Sequence, residues 1–357
     1  MEEQNRRKTP QELCEEIACC ENICKYFNGG LPCKNGKPHP CREIIKSQGQ
    51  TYPNLFQIPE PWVGHIDKAP LLFLSSNPSI DEKDPYYPSF GSLCNNGKQG
   101  EEDNCLFKFK TPSETIETTL TDFYNNRFKY IIDEDCIRGK KEDKPENDKK
   151  NRPVPYWQAT KAAALYLYNK EDNGSIECGC HYALSEVVHC KSKSETGVRK
   201  ALNECSRKYL KELLRISPAK VVVVYGKARL HTLCLILCRS KDINKSYNDI
   251  LKSFFDDNST WFGSYLYDIL YIKYPYKSKK QTQTVLIIKT NEKHFLRERY
   301  FIFVTHPNYH ISLKKYLEKC PEESIIEEIE ECPEKSIIEE IRECLKNAKK
   351  DNNEATT

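Results

Sequence analysis

Apolar residues in this chain gather in short blocks rather than in long stripes. Four blocks carry the signal: 70–75 (Pro-Leu-Leu-Phe-Leu-Ser), 183–189 (Ala-Leu-Ser-Glu-Val-Val-His), 220–225 (Lys-Val-Val-Val-Val-Tyr) and 300–305 (Tyr-Phe-Ile-Phe-Val-Thr). A run of this length, rich in β-branched and aromatic side chains, is the pattern of a strand covered on both faces. Helical patterns fill other stretches. They are expected over 10–28, with Pro10 where a first-turn proline is tolerated, over 157–169, and over about 198–215. Residues 29–41 are rich in Gly, Pro and Lys and read as an ordered loop. Strands alternating with helices predict an α/β fold with a mainly parallel sheet.

Three of the four blocks end in reactive polar residues. The first runs into Ser76, Asn77 and Pro78, the second contains Glu186, and the last runs into His306, Pro307 and Asn308. If the strands lie parallel, these ends gather along one edge, where open α/β sheets keep their sites. Asn77-Pro78 is also an ordinary turn signal. Asp81, Glu82 and Asp84 just beyond it read as a solvated acidic loop that could also hold a base or a metal. A histidine at a strand terminus, as at 306, sits where functional residues concentrate.

The segments between the blocks shape the domain picture. Residues 95–155 are polar, with both signs of charge dense over 140–152, and predict a surface insertion. A second insertion is expected near 240–295. The core domain then spans 1–318. In the remaining 319–357, Cys320-Pro-Glu-Glu-Ser-Ile-Ile-Glu-Glu-Ile is nearly duplicated from Cys332, a repeat of 12 residues. Each copy places Ile-Ile-x-x-Ile on one helical face. A helical appendage packed on the domain is expected, with an acidic helix for a protein partner as the alternative, and with 345–357 frayed.

Composition limits the function classes. The 357 residues are 38% hydrophobic and 30% charged with a net charge of +3, so no global field demands a nucleic acid. No stretch approaches the apolar length of a membrane span, and Met1-Glu-Glu-Gln-Asn-Arg-Arg-Lys is not the start of an export signal. A cytoplasmic protein, monomeric and off the membrane, is expected. Most of its 18 cysteines should then be buried small hydrophobes or free thiols, with a subset available as ligands. Cys190 ends a strand and Cys205, 15 residues on, lies on the next helix. Between and around them, Lys191, Lys193, Arg199, Lys200, Arg207 and Lys208 form a basic stripe able to meet phosphates or simply to face water.

Taken in order, the strand with Asn77-Pro78, Glu186-Val-Val-His-Cys190 with Cys205 beyond it, Pro218-Ala-Lys-Val-Val-Val-Val-Tyr-Gly226, and the last strand with His306-Pro307 resemble the uracil-DNA glycosylase superfamily, in particular its iron–sulfur branch. The resemblance covers about 15–315, less the insertions. It implies a three-layer α/β/α sandwich around a mainly parallel four-stranded sheet. It also implies DNA as partner and a [4Fe–4S] cluster on four cysteines, with zinc as the alternative. Cys190 and Cys205 match the second pair of ligands. The first pair departs from the usual tight spacing; Cys33 and Cys41 are favoured, with Cys20 and Cys24 as rivals. The resemblance gives Asn77 the hydrolytic water and His306 the negative charge on the departing base. Phe90 takes the stack on a flipped base, with Tyr86 and Tyr87 as rivals; Ser76 lines the pocket, and the loop with Asn308 meets the duplex.

Glu186 departs from that pattern. Uracil readers carry Asn here, whose amide satisfies both O4 and N3–H. A carboxylate cannot donate to O4, but it accepts from the N4 amino group of a cytosine. Burial that raised its pKa would restore uracil binding. The expected activity is a monofunctional glycosylase acting on a modified cytosine, as in phage DNA, or else on uracil, in defence or repair. The alternatives are a catalytically silent DNA-binding member of the fold and a metal-stabilised interaction module.

Overall fold

Valine dominates the centre of the fold. In chain order the strands are β1 (Trp62–Val63), β2 (Leu71–Ser75), β3 (Leu106–Lys110), β4 (Thr115–Thr119), β5 (Tyr182–Glu186), β6 (Val221–Tyr225), β7 (Tyr267–Lys273), β8 (Val285–Thr290) and β9 (Tyr300–Val304). The helices are α1 (Pro10–Ala18), α2 (Glu21–Phe27), α3 (Arg42–Ser47), α4 (Leu120–Ile132), α5 (Pro155–Leu167), α6 (Val198–Cys205), α7 (Lys211–Ile216), α8 (Ala228–Ile236) and α9 (Pro333–Glu354). The computed structural model describes residues 6–50, 55–78, 87–90, 106–110, 115–132, 155–169, 176–237, 267–273, 285–304 and 333–354. They fall into two compact units, one within Met1–Asp67, Ser76–Pro153 and Leu184–Ile216, the other within Lys68–Ser75, Val154–Ala183 and Ser217–Thr357.

The second unit holds a mixed sheet in the order β2-β6-β9-β8-β7. β6 runs parallel to both neighbours, with Leu71 opposite Val221 on one side and Tyr225 opposite Val304 on the other. β2, β6 and β9 therefore end on one edge. All five residues of each are buried, as expected for strands covered on both faces. β8 and β7 add antiparallel strands beyond β9. They come from the stretch expected as an insertion, so the sheet is larger than the pattern foretold. The observed architecture is α/β with a parallel sheet centre.

Helices flank these strands for local reasons. Tyr225 passes into α8 through Gly226, whose positive φ of 57° suits a residue without Cβ. Ala163, Ala164 and Leu167 are the buried side of α5. The second repeat copy forms α9, with Ile338, Ile341 and Leu345 buried. Its polar edge is also fixed. Glu340 bonds Lys289 at 2.6 Å and the Tyr300 hydroxyl, and Arg342 donates to the Tyr166 carbonyl at 3.2 Å. The helix continues to Glu354 instead of fraying from 345, because Leu345 is fully buried and Lys349 reaches the His181 ring at 2.8 Å. The first copy lies outside the described residues. Among the described residues no helix is long and apolar enough to cross a membrane.

The first unit is built around helices. The expected 10–28 helix is two. α1 opens on a capping box between Thr9 and Glu12. It stops at Cys19, and Cys20 turns out of the helical region (φ −46°, ψ 120°) to begin α2. The helix expected at 198–215 is also interrupted, since Ser206–Leu210 forms a π turn between α6 and α7. β1 pairs antiparallel with β5, and β3 with β4 forms a hairpin followed by α4. The hairpin and α4 are regular structure inside the segment expected as a polar insertion.

Candidate functional site

Four thiols are drawn together within the first unit. Cys20 lies at the break between α1 and α2, Cys41 caps α3, Cys190 follows β5, and Cys205 ends α6. All four are buried and none is in a disulfide. The Cys205 and Cys41 thiols lie close enough to shift each other's ionisation, and Cys190 and Cys20 lie within electrostatic reach of that pair. The neighbouring Cys205 thiol is the main cause holding Cys41 below its usual range. The Cys41 thiol, then burial, pushes Cys205 well up. Burial pushes Cys190 and Cys20 up.

Three of these thiols, Cys20, Cys190 and Cys205, resist ionising by themselves, and a bound cation would supply the charge that lets all four deprotonate. Soft thiolates are the donors that iron–sulfur clusters and zinc select, so the donor type suits the group the sequence implies. The grouping is loose: among the described residues no three His, Cys, Asp or Glu side chains close in on one ion. Of the expected ligands, the structure brings Cys41, Cys190 and Cys205 together with Cys20. Cys33 is exposed and Cys24 only half-buried.

One close approach brackets Cys41 and Cys205. Gly197, which starts α6, has φ +78°, and a Cβ there would lie 2.3 Å from the Ile44 nitrogen and 2.7 Å from its Cα. Only glycine lets the start of α6 rest on the backbone of α3. Lys200 of α6 then pairs with Glu43 of α3, and Lys34 bonds Glu204 at 2.6 Å.

The segment carrying Cys190 also meets Asn77. The Val188 amide donates to the Ser76 carbonyl at 2.9 Å, and the Ser192 amide to the Pro78 carbonyl at 3.2 Å. The chain leaving β2 thus runs beside the chain leaving β5. Half-buried Asn77 donates one amide hydrogen to Ser192 Oγ at 2.8 Å and the other to the Pro78 carbonyl at 2.9 Å. With both hydrogens committed, only Asn77 Oδ1 can take a further hydrogen bond, and it takes it as an acceptor. Ser76 is buried, and Glu186 is buried at the end of β5.

Between Cys190 and Ser192, Lys191 turns inward to a cluster the sequence did not suggest. Its ammonium is 3.1 Å from Glu60, with Arg127 of α4 3.9 Å from the same carboxylate oxygen; all three side chains are at most 8% exposed. Lys191 also lies 3.9 Å from the centre of the Tyr87 ring and Arg127 4.7 Å from it. Tyr87 meets Tyr124 hydroxyl to hydroxyl at 3.2 Å, and Tyr124 donates to the Pro59 carbonyl at 3.0 Å. Burial pushes both phenols well up. Glu60 grips the same segment with its backbone, through its N–H to the His189 carbonyl at 2.9 Å and its carbonyl to His189 Nδ1 at 3.1 Å. The available signal was a lone carboxylate between two prolines in an apolar stretch, Ile58-Pro-Glu-Pro-Trp62.

These contacts sort the other expected residues. Tyr87 is a buried anchor beneath two cations. Phe90 is half-buried, its amide bonded to the Phe56 carbonyl at 2.8 Å. Three members of the basic stripe are paired: Lys191, buried, on Glu60, and nearer the surface Lys200 on Glu43 and Lys208 on Glu16 and Glu21 at 3.7 and 3.5 Å. Lys193, Arg199, Lys200 and Arg207 are exposed. His306, Asn308, Tyr86, Asp81, Glu82 and Asp84 lie outside the described residues. No protein-family model matches the chain, and no curated protein matches it in sequence.

Proposed function

We propose that this chain is a monofunctional DNA glycosylase of the uracil-DNA glycosylase type, built on a three-layer α/β/α frame with four core strands to which β7 and β8 are additions. The observation that carries the reading is the run 186–192. It begins with a buried carboxylate, continues into a thiol group of the right chemistry for a cluster, and ends on the serine that orients Asn77. The order Asn-Pro, Glu, Cys, Cys and His-Pro supplies the rest.

In this reading the target nucleotide leaves the stack and enters a pocket. Phe90 stacks on the base, Ser76 lines the wall, and Glu186 accepts a hydrogen bond from an exocyclic amino group, which favours a modified cytosine over uracil. Asn77 Oδ1 accepts a hydrogen bond from the water that captures the sugar cation, and so orients it. His306 stabilises the charge that builds on the leaving base, and Asn308 presses on the duplex. Cys20, Cys41, Cys190 and Cys205 would hold the [4Fe–4S] cluster, or zinc in its place, and its positive charge would bind four chain segments together.

The test is base release from duplexes carrying uracil, hypoxanthine, hydroxymethylcytosine or glucosylated hydroxymethylcytosine, scored as heat-labile abasic sites. Release from a modified cytosine is expected, lost in Asn77→Ala and His306→Ala and redirected towards uracil in Glu186→Asn. No release from any duplex, with His306→Ala equal to wild type, overturns the reading.

A further inference from the structure

One side chain that the proposed reaction does not use joins three stretches of chain. Gln48 caps the end of α3 and is 8% exposed. Its amide oxygen accepts from the Gln57 N–H at 2.9 Å. Its amide nitrogen donates to the Gln57 carbonyl at 3.0 Å and, in a longer bond, to the Lys191 carbonyl at 3.4 Å. These contacts need an acceptor on one side of the amide and donors on the other, so neither a flipped amide nor a carboxylate could make them all. The place of Gln48 is itself fixed, because α3 rests on Gly197 at the start of α6.

Each partner of that amide leads to a residue of the proposed site. Gln57 forms an antiparallel bridge with Ser89. On either side of it, the Phe90 amide donates to the Phe56 carbonyl at 2.8 Å and the Ile58 amide to the Pro88 carbonyl at 3.2 Å. Residues 56–58 thus carry the Phe90 stretch on one edge and the Gln48 amide on the other. Lys191 precedes Ser192, which accepts from Asn77 at 2.8 Å. The same lysine meets the Phe90 stretch again, its ammonium 3.9 Å from the centre of the Tyr87 ring. We propose that Gln48 is a positioning residue that fixes the Phe90 ring relative to Asn77, an inference that rests on the glycosylase reading above. The ring that stacks on the base decides where the sugar carbon lies, and Asn77 decides where the water lies. The two must agree closely for the water to meet the carbon in line. The Gln48 amide is bonded to the stretch beside each, so it holds their spacing.

The experiment is a double-mutant cycle on single-turnover base release, using the duplex that the wild type acts on and the variants Gln48→Met, Phe90→Ala and both together. Methionine keeps the length of the side chain and removes all three bonds. Gln48→Met should slow release roughly tenfold at saturating enzyme. It should bind a duplex carrying a tetrahydrofuran abasic analogue as tightly as wild type, because that duplex has no base to place. Added to Phe90→Ala, the same change should cost less than about twofold, since the ring it places is gone. Release by Gln48→Met at the wild-type rate, or losses that multiply in the double variant, overturns the inference and leaves the glycosylase reading standing. Binding of the abasic duplex that weakens in step with the rate assigns Gln48 a general structural role and also overturns it. No release by the wild type from any of the four duplexes overturns both. A Gln48→Met chain that fails to fold leaves the decision to Gln48→Ala in the same cycle, whose gap admits water to the freed backbone groups.

Discussion

The parallel strands of the second unit and the thiol group of the first are both buried, but they are held by different means. Val221 to Val224 have apolar neighbours on both flanking strands, and the backbone ladder repeats along their length. Any one side chain is a small part of that sum. The thiols come from four separate stretches of chain and are held by single atoms: a missing Cβ at Gly197, the two carboxylate contacts and two backbone bonds of Glu60, and the side-chain amide of Asn22 at Cys41. The sheet is specified by composition and the thiol group by individuals. Substitutions should therefore cost the sheet stability alone, while at the thiol group they should cost assembly as well.

The sharpest way to break the contrast is Glu60→Ala. It leaves Lys191 and Arg127 buried with one carboxylate fewer, a change expected to cost about 4 kcal/mol in urea unfolding, with metal content falling too. Full metal in a folded Glu60→Ala protein would dismiss Glu60 as the clamp of the cysteine segment. Gly197→Ala comes next, at about 3 kcal/mol, since it combines a strained backbone with a forced separation of α3 and α6; metal loss should exceed what the stability loss explains. Val223→Ala serves as the control in the sheet. It should cost about 2 kcal/mol from lost burial and a small cavity, while metal per folded chain stays at the wild-type level. Equal metal loss in both of the last two variants would erase the distinction.

The smallest effect concerns pH and belongs to the second unit. His294 is buried, with Nδ1 accepting from the Leu296 amide at 3.0 Å and Nε2 3.1 Å from the Ile236 carbonyl. Burial is the main cause lowering its pKa. The unfolded chain therefore takes up this proton first. The stability linked to His294 is complete above the ordinary histidine value of about 6.5 and is lost as pH falls towards the lower folded value. An NMR titration of the folded protein should find the His294 ring neutral where free histidine is charged. A midpoint at or above the ordinary value would contradict this.

The same contrast explains what could be read in advance. β2, β6 and β9 declare themselves locally, because a run such as Val-Val-Val-Val has few other uses, and their ends differ from expectation by one residue. β8 carries an equally apolar run, Val285-Leu-Ile-Ile, but it is set in polar, charged sequence and was masked by its surroundings. At the thiols, Cys190 and Cys205 were legible because a strand end and the next helix are linked by a short connection. Cys20 was not, since its place depends on a helix break between two adjacent cysteines with nothing in the local pattern to require it. Glu60, Arg127 and Tyr124 were invisible as a group because their pairing spans distant sequence. Asn77 was legible as a residue at a strand end, but the commitment of both its amide hydrogens was not.

The three residues Cys190, Lys191 and Ser192 face three different neighbours: the thiols, Glu60 and Asn77. This bears on how such a chain can change over generations. Each side chain could be exchanged together with its own neighbour, one pair at a time. Length is another matter. One residue gained or lost between positions 186 and 192 would carry Cys190, Lys191 and Ser192 off their partners together, since consecutive residues face different neighbours. This short span should keep its count while its letters drift, and a deletion scan should find the protein brittle here.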